Sequence, residues 1–389
     1  MPIKILVVDD EPDLELIIGQ KFRKKVRSNE YAFFFARNGV QAINRLREND
    51  LDIVLTDINM PEMDGLTLLS EIKEEYPLLR SIIISAYGDM ANIRKALNQG
   101  AFDFITKPID LNDLEMAVAR TVDEVLALRQ AEFNKEQLIA IRNELEVART
   151  IQNSMVPAKF PPYPDRDDFD IYAKMITAKE VGGDFYDYSL IDNHHLYFAI
   201  GDVAGKGVPA ALFMAVTRTL LKSVALKMMQ PNECLDKVNS VLCWENASDM
   251  FVTAFCGVLN TATGELTYSN AGHNLPYLLV PQESAINIKQ LENTEGMALG
   301  VFDYANYQIN KMSLKGGDGL FLYTDGITET MDKAGNLFSA QRLEEHFRIS
   351  NYSSSEEIIK GIFDEISRFS DSAPQADDIT ALSVRYLKY

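Results

Sequence analysis

From Leu114 to Gln152 the chain contains neither proline nor glycine, and strong helix formers dominate. At 389 residues the chain is too long for one ordinary core, so two domains joined by this helical run are expected. The boundaries read as 1–123, 124–157 and 158–389, with VPAKFPPYPDRDD (156–168) and its prolines ending the helix. Val118, Val125 and Leu128 fall at heptad spacing, as do Leu138, Ile141, Leu145 and Ala148, and the two series are out of phase, which places a stutter between them. A lone helix with that seam exposes apolar side chains. A parallel dimeric coiled coil is therefore expected, and the alternative is a helix packed on its own domains.

Composition narrows the partners. A formal charge of −19 argues against nucleic acid, whose phosphates would be repelled, and no basic stripe offsets it. Cys234, Cys243 and Cys256 are too few and too irregularly spaced for a disulfide framework or a zinc site, and read as small buried residues in a reducing cytosol. The chain enters a strand at once (IKILVVDD), leaving no room for a signal peptide, and no apolar run approaches the ~20 residues of a membrane span. A soluble, cytoplasmic protein is expected.

In the first 123 residues, apolar runs alternate with amphipathic ones. IKILVV (3–8), DIVLTD (52–57), SIIISA (81–86) and DFIT (103–106) read as parallel strands buried on both faces. GVQAINRLREN (39–49) and GLTLLSEIKEEY (65–76) read as helices between them. The expected fold is a flavodoxin-like α/β sheet with ligands beyond the carboxyl ends of its strands. There lie Asp9, Asp10, Asp57, Ser85 and Lys107, the set that phosphoryl transfer to a carboxylate requires. Asp57 is the expected nucleophile, with Asp10, Asp57 and the Asn59 carbonyl holding one Mg²⁺. Asp9 orients the ion's water, and Ser85 and Lys107 bind phosphoryl oxygens. LVVDDE, LTDINMPEMDG, SAYG and FITKP, in this order and spacing, resemble the receiver domain of two-component response regulators. The resemblance implies phosphorylation of Asp57 by a sensor histidine kinase and a switch in which Ser85 turns and Phe104 repacks. Phe104 stands where a tyrosine is common.

The last 210 or so residues carry many strand-like runs and two helical stretches, 208–229 and 356–369, which suggests an α+β sandwich. Four acidic motifs stand out: EVGGD ending at Asp184, GDVAGKG with Asp202, YTDGITE with Asp325 and ADDIT with Asp377. Four segments thus supply hard oxygen ligands, which suits a pair of Mn²⁺ or Mg²⁺ ions that activate water for in-line attack on a phosphate. Asp202 is the expected bridging ligand, with the Val203 carbonyl completing one sphere and Asp184 reaching an ion directly or through water. From ELEVARTIQNSMVP through EVGGDFYD, AGHN (271–274) and GMALG (296–300) to DDITA, the chain resembles the PPM (PP2C-like) serine/threonine phosphatases, in the bacterial branch typified by SpoIIE and RsbU. The resemblance implies an α-β-β-α sandwich and release of phosphate from phosphoserine or phosphothreonine in a protein, usually an anti-sigma-factor antagonist. Eukaryotic relatives carry a histidine where this chain has Ala204, so another group must protonate the leaving oxygen. His273 and Lys206 are further candidates for catalytic or substrate contact.

The expected function is a phosphatase controlled by phosphorylation of Asp57. The alternative is a catalytically silent adaptor that binds a sigma-factor regulator, and a cyclase output lacks its sequence signatures.

Overall fold

The computed structural model describes all residues except 1, 87, 228–229, 245–248, 283–285, 351 and 389, so Tyr87 of SAYG lies outside the described residues. The chain divides into two compact units, Met1–Ile141 and Arg142–Tyr389.

The first unit contains β1 (Ile3–Val8), α1 (Asp13–Lys21), α2 (Arg23–Arg27), β2 (Tyr31–Ala36), α3 (Gly39–Glu48), β3 (Ile53–Asp57), α4 (Gly65–Glu75), β4 (Arg80–Ala86), α5 (Met90–Gln99) and β5 (Asp103–Lys107). The long helix α6 (Leu111–Met155) begins here. All strands are parallel, in the order β2-β1-β3-β4-β5. This is the flavodoxin-like arrangement expected. β1, β3 and β4 are almost wholly buried because helices cover both faces. β2 (YAFFFA) is an edge strand with mostly half-buried rings. Asn38 and Asp64 cap α3 and α4 by accepting from Gln41 N (2.9 Å) and Thr67 N (2.7 Å).

One expectation needs correction. Val118 and Val125 do not form an open heptad seam; with Ala117 and Val122 they are buried against β1, β3 and β4. The first half of α6 is the closing helix of the α/β unit, so its apolar positions already have partners. The second series differs: Leu138 and Ile141 are about half exposed, and Leu145 and Ala148 are partly exposed.

The second unit contains β6 (Phe169–Ile176), β7 (Phe185–Leu190), β8 (His195–Val203), α7 (Val208–Ala225), α8 (Pro231–Trp244), β9 (Val252–Asn260), β10 (Glu265–Ala271), β11 (Tyr277–Pro281), β12 (Ile286–Gln290), β13 (Asn310–Ser313), β14 (Gly319–Tyr323), α9 (Asp325–Thr328), α10 (Ser339–Ile349), α11 (Ser355–Ser370) and β15 (Ile379–Tyr386). Two antiparallel sheets, β13-β10-β9-β8-β7 and β12-β11-β14-β15-β6, face one another. Phe198, Ile200, Phe255 and Leu266 from one meet Ile171, Leu320, Leu382 and Val384 from the other. Outside the first sheet, Met214, Leu221, Leu235 and Val238 of α7 and α8 pack on Tyr197 and Cys256. Outside the second, Leu343 and Phe347 of α10 and Ile359, Ile362 and Phe363 of α11 pack on Phe321 and Tyr323. The layers are therefore α-β-β-α.

The sequence reading named two helical stretches here, and α8, the short α9 and α10 are additions to it. In the expected 208–229, residues 228–229 lie outside the described residues. α7 is also long and apolar enough to cross a membrane by length and composition, contrary to the sequence expectation, yet one face, Ala210, Met214, Leu221 and Ala225, is packed in the core.

Candidate functional site

The acids of the first unit gather at the carboxyl edge of its parallel sheet. Asp9 follows β1 and Asp57 ends β3, and both are buried, while Asp10 is exposed. Carboxylate oxygens of Asp9, Asp10 and Asp57 lie within 4.8 Å of one another. Lys107 Nζ reaches in from the end of β5, 2.7 Å from Asp57 Oδ2 and 3.3 Å from Asp9 Oδ2. Burial pulls the lysine's ammonium down, but its hydrogen bond and attraction to Asp57 outweigh this and hold it above its ordinary value. Burial raises the Asp9 carboxyl, against the opposing bond from Glu11 N (2.8 Å) and the charge of Lys107. Asn59 N donates to Asp57 Oδ1 at 3.4 Å. Ser85 at the end of β4 is fully buried with its hydroxyl unpartnered, and Phe104 on β5 is 38% exposed. The edge thus offers hard oxygens, a fixed cation and a free hydroxyl, which suits a small hard cation and a phosphoryl group.

In the second unit, four strand ends bring the second set together. Asp202 lies near the end of β8, Asp184 just before β7, Asp325 just after β14 and Asp377 just before β15. Their mutual influence places them in one electrostatic cluster. Burial, then repulsion by Asp325 and Asp377, pushes the Asp202 carboxyl up to about 7, against a hydrogen bond with Asp184. Asp184 is buried and raised well above the carboxylate range, first by burial and then by the charge of Asp202. Asp325 is raised by burial and by Glu329 and Asp377. Four crowded carboxylates, which among the described residues pair with one lysine, Lys206, are costly, and divalent cations are the usual remedy. Among the described residues no three of these acids draw as close as the trio at Asp57.

Close backbone approach shapes the cluster and the cavity beside it that Lys206, Gly326 and Asp377 line. A Cβ on Gly326 would sit 1.9 Å from the Asp378 carbonyl oxygen, and one on Gly182 would sit 2.1 Å from Asp378 Oδ2. Any side chain there would push the Asp184 or Asp325 segment out of place.

Residues 192–387 match the family Stage II sporulation protein E (SpoIIE), half of the chain. The chain belongs to the SpoIIE family. Residues 5–119 match the response regulator receiver domain, so a receiver precedes the SpoIIE-type, PP2C-like phosphatase domain. Phosphoserine phosphatase RsbU of Bacillus subtilis is 30% identical over 254 residues, covering 63% of this chain and 70% of RsbU. Protein IcfG of Synechocystis sp. is 32% identical over 271 residues, 62% of this chain but 41% of IcfG. The SiaA-PP2C domain of Pseudomonas aeruginosa superposes with a TM-score of 0.56 at 22% identity, over 64% of this chain and 98% of that one, a likeness of fold.

Other residues of the SpoIIE-type domain take clear places. Lys206 Nζ is 2.9 Å from Asp377 Oδ2 and donates to the Ala376 carbonyl at 2.6 Å, so it neutralises a cavity acid. His273 is buried, with Nδ1 2.9 Å from Thr253 Oγ1, and burial lowers its ring to about 4. It is a neutral ring inside the fold. Gly183 lies against the Val203 carbonyl, 2.9 Å from where a Cβ would be.

Three residues escaped the sequence reading. Asp378 Oδ1 accepts from Ala178 N (2.8 Å), and Oδ2 from Gly183 N (2.7 Å) and Asp184 N (3.4 Å). Thr324 Oγ1 donates to Asp184 Oδ2 at 2.7 Å and accepts from Thr380 N at 3.1 Å. Gln152 pairs with Gly182. The doubled acid in ADDIT was the available signal for Asp378, because adjacent residues entering a strand face opposite ways.

Proposed function

We propose that this chain is a two-component response regulator whose phosphorylation at Asp57 controls a metal-dependent protein phosphoserine and phosphothreonine phosphatase. The observation that carries the reading is the Asp184–Asp202–Asp325–Asp377 cluster, with the Asp202 carboxyl driven up to about 7 by burial and its acidic neighbours. A hydrolase using two Mn²⁺ or Mg²⁺ ions needs such a concentration of acids. When bound, the ions supply an activated water and neutralise the phosphate's charge. Asp202 would be the ligand the two ions share, and Asp325, Asp377, Asp184 and the Val203 carbonyl would help to hold them. Lys206 steadies Asp377. The likeness to RsbU, named a phosphoserine phosphatase, supports a phosphorylated protein as substrate, and an anti-sigma-factor antagonist is the class proposed.

At the receiver, Asp57 takes the phosphoryl group from a sensor kinase's phosphohistidine as the phosphorus–nitrogen bond breaks. Asp10, Asp57 and the Asn59 carbonyl would hold one Mg²⁺ with Asp9 orienting its water, and Lys107 and Ser85 would bind the phosphoryl oxygens. The domain limits proposed are 1–123, 124–157 and 158–389. Leu138 and Ile141, about half exposed on α6 and in heptad register with the partly buried Leu145 and Ala148, support pairing with a second copy through the later part of that helix. Coupling between the two sites runs through α6, and 1–3 kcal/mol corresponds to about 5–150-fold in activity.

The test is phosphate release from phosphorylated antagonist proteins with Mn²⁺, with and without acetyl phosphate or BeF₃⁻. Chelator-sensitive release that differs between the two conditions is expected. Equal rates remove receiver control, and no release, with partner binding unaffected by Asp202→Ala, leaves the silent adaptor.

A further inference from the structure

A cavity of about 260 Å³ opens beside the acid cluster, far larger than the roughly 10–15 Å³ that one water needs. Its inner wall is apolar, formed by the buried side chains of Phe363 and Ile366 of α11 and Ile379 of β15. Exposed Met331 and Ile176 carry that apolar surface out to solvent. Another wall is the loop between α11 and β15, and it is held in place. Asp371 and Ser372 take the left-handed backbone, with φ of 44° and 66°, a strain that persists only where the surroundings fix it. Beyond them Gln375 Nε2 donates to the Ile176 carbonyl at 2.9 Å and to the Asp377 carbonyl at 2.7 Å, and Lys206 Nζ donates to the Ala376 carbonyl. The hollow is thus a built feature. Its charged lining is Glu329, Lys206 and Asp377, all at least partly open to solvent.

Asp377 belongs to both the cavity and the acid cluster, so a phosphoseryl group delivered to the cluster brings its flanking residues beside this opening. An extended chain advances about 3.3–3.6 Å per residue, which puts the hollow within reach of the first few neighbours. We propose that the cavity is a specificity subsite, taking one apolar side chain of the substrate protein within about three residues of its phosphoserine or phosphothreonine. This rests on reading the acid cluster as a phosphatase centre. An aliphatic side chain in the hollow covers Phe363, Ile366 and Ile379 from water. A carboxylate there would lose its hydration against an apolar wall and face Glu329 and Asp377. The substrate is therefore read by the shape and polarity of a neighbouring residue as well as by its phosphate.

The test uses the full chain with Mn²⁺, as parent and with the cavity filled by Ala373→Phe from the loop or by Ser367→Phe from α11. The substrates are p-nitrophenyl phosphate, which has no flanking residues, and fluorescein-labelled phosphoserine peptides. The peptides carry Leu, Ala or Asp at each position up to about three residues on either side of the phosphoserine. Phosphate release gives kcat/KM, and fluorescence anisotropy gives affinity. At one position Leu is expected to exceed Ala about tenfold, and Asp to fall below Ala. Filling the cavity is expected to remove that preference while p-nitrophenyl phosphate turnover stays within about twofold of the parent. A Leu-over-Ala ratio below about twofold at every position in both readouts overturns the proposal, as does a preference that a folded filled variant retains in full. If Ala373→Phe does not fold, Ser367→Phe decides. Release from neither p-nitrophenyl phosphate nor peptide overturns the phosphatase reading alone, and the anisotropy comparison still decides what the cavity takes.

Discussion

Asp378 Oδ2 accepts a hydrogen bond from Gly183 N at 2.7 Å, across 195 positions of sequence. Its neighbour Asp377 faces the other way, toward Lys206 Nζ and the repelling charge of Asp202. Adjacent aspartates thus divide the work, one holding backbone and the other lining the cavity. Asp378→Ala leaves the N–H groups of Ala178, Gly183 and Asp184 without their acceptor and is expected to cost about 2–4 kcal/mol of stability. Asp377→Ala is expected to abolish Mn²⁺-dependent phosphate release with far less loss of stability. Urea unfolding and a phosphate-release assay on both variants check the division.

Metal loading should stabilise the SpoIIE-type domain, because cations relieve the repulsion that raises Asp202 and Asp184. Mn²⁺ at a hundred times its dissociation constant adds about 2.7 kcal/mol to a one-site protein. A rise in thermal midpoint of roughly 5–10 °C is expected, reversed by chelator. Asp202→Asn should lose most of that rise, read by scanning calorimetry, together with at least about 10²-fold of the phosphatase rate.

In the receiver, Lys107 Nζ is the cation nearest both Asp57 and Asp9. Lys107→Ala is expected to slow phosphorylation by acetyl phosphate roughly 10²-fold, and Asp57→Asn to eliminate it. Intact-protein mass spectrometry, which reads the added phosphoryl group, measures both.

A pH effect should come from outside both sites. Asp168 is buried and paired with Arg166, whose Nε donates to Oδ1 at 2.7 Å. Burial would raise this carboxyl, but the hydrogen bonds from Arg166 outweigh it and hold the group at about 2. In the unfolded chain an aspartate titrates near ~3.9, so the folded state binds this proton more weakly. The stability it contributes is therefore present above about pH 4 and is lost as pH falls toward 2. Asp168→Asn is expected to flatten the acid limb of stability across that interval, measured by urea midpoints at stepped pH.

Much of this was legible in sequence for definite reasons. β1, β3 and β4 are apolar throughout because both faces are covered, and their acids stand where those runs stop. The SpoIIE-type acids announce themselves through the glycines that let backbone pack against them. The α6 seam was misread in its first half, since heptad spacing cannot tell whether Val118 and Val125 face another chain or their own domain's core. α10 escaped notice because it buries only Leu343 and Phe347, too weak a stripe to register. Gln152 was invisible for a deeper reason: a glutamine in a polar helix looks like any solvated residue until the glycine it grips is placed beside it.

The sheet order carries a consequence for biosynthesis. β6 pairs with β15 alone among the described strands, and β15 is threaded between β6 and β14. On the ribosome, β6 emerges with its ladder partner not yet translated, and Asp377 arrives only with that same partner. A nascent polypeptide therefore lacks one acid of the cluster and keeps β6 unpaired until β15 slots in. The acid cluster and the sheet are thus completed by one and the same segment.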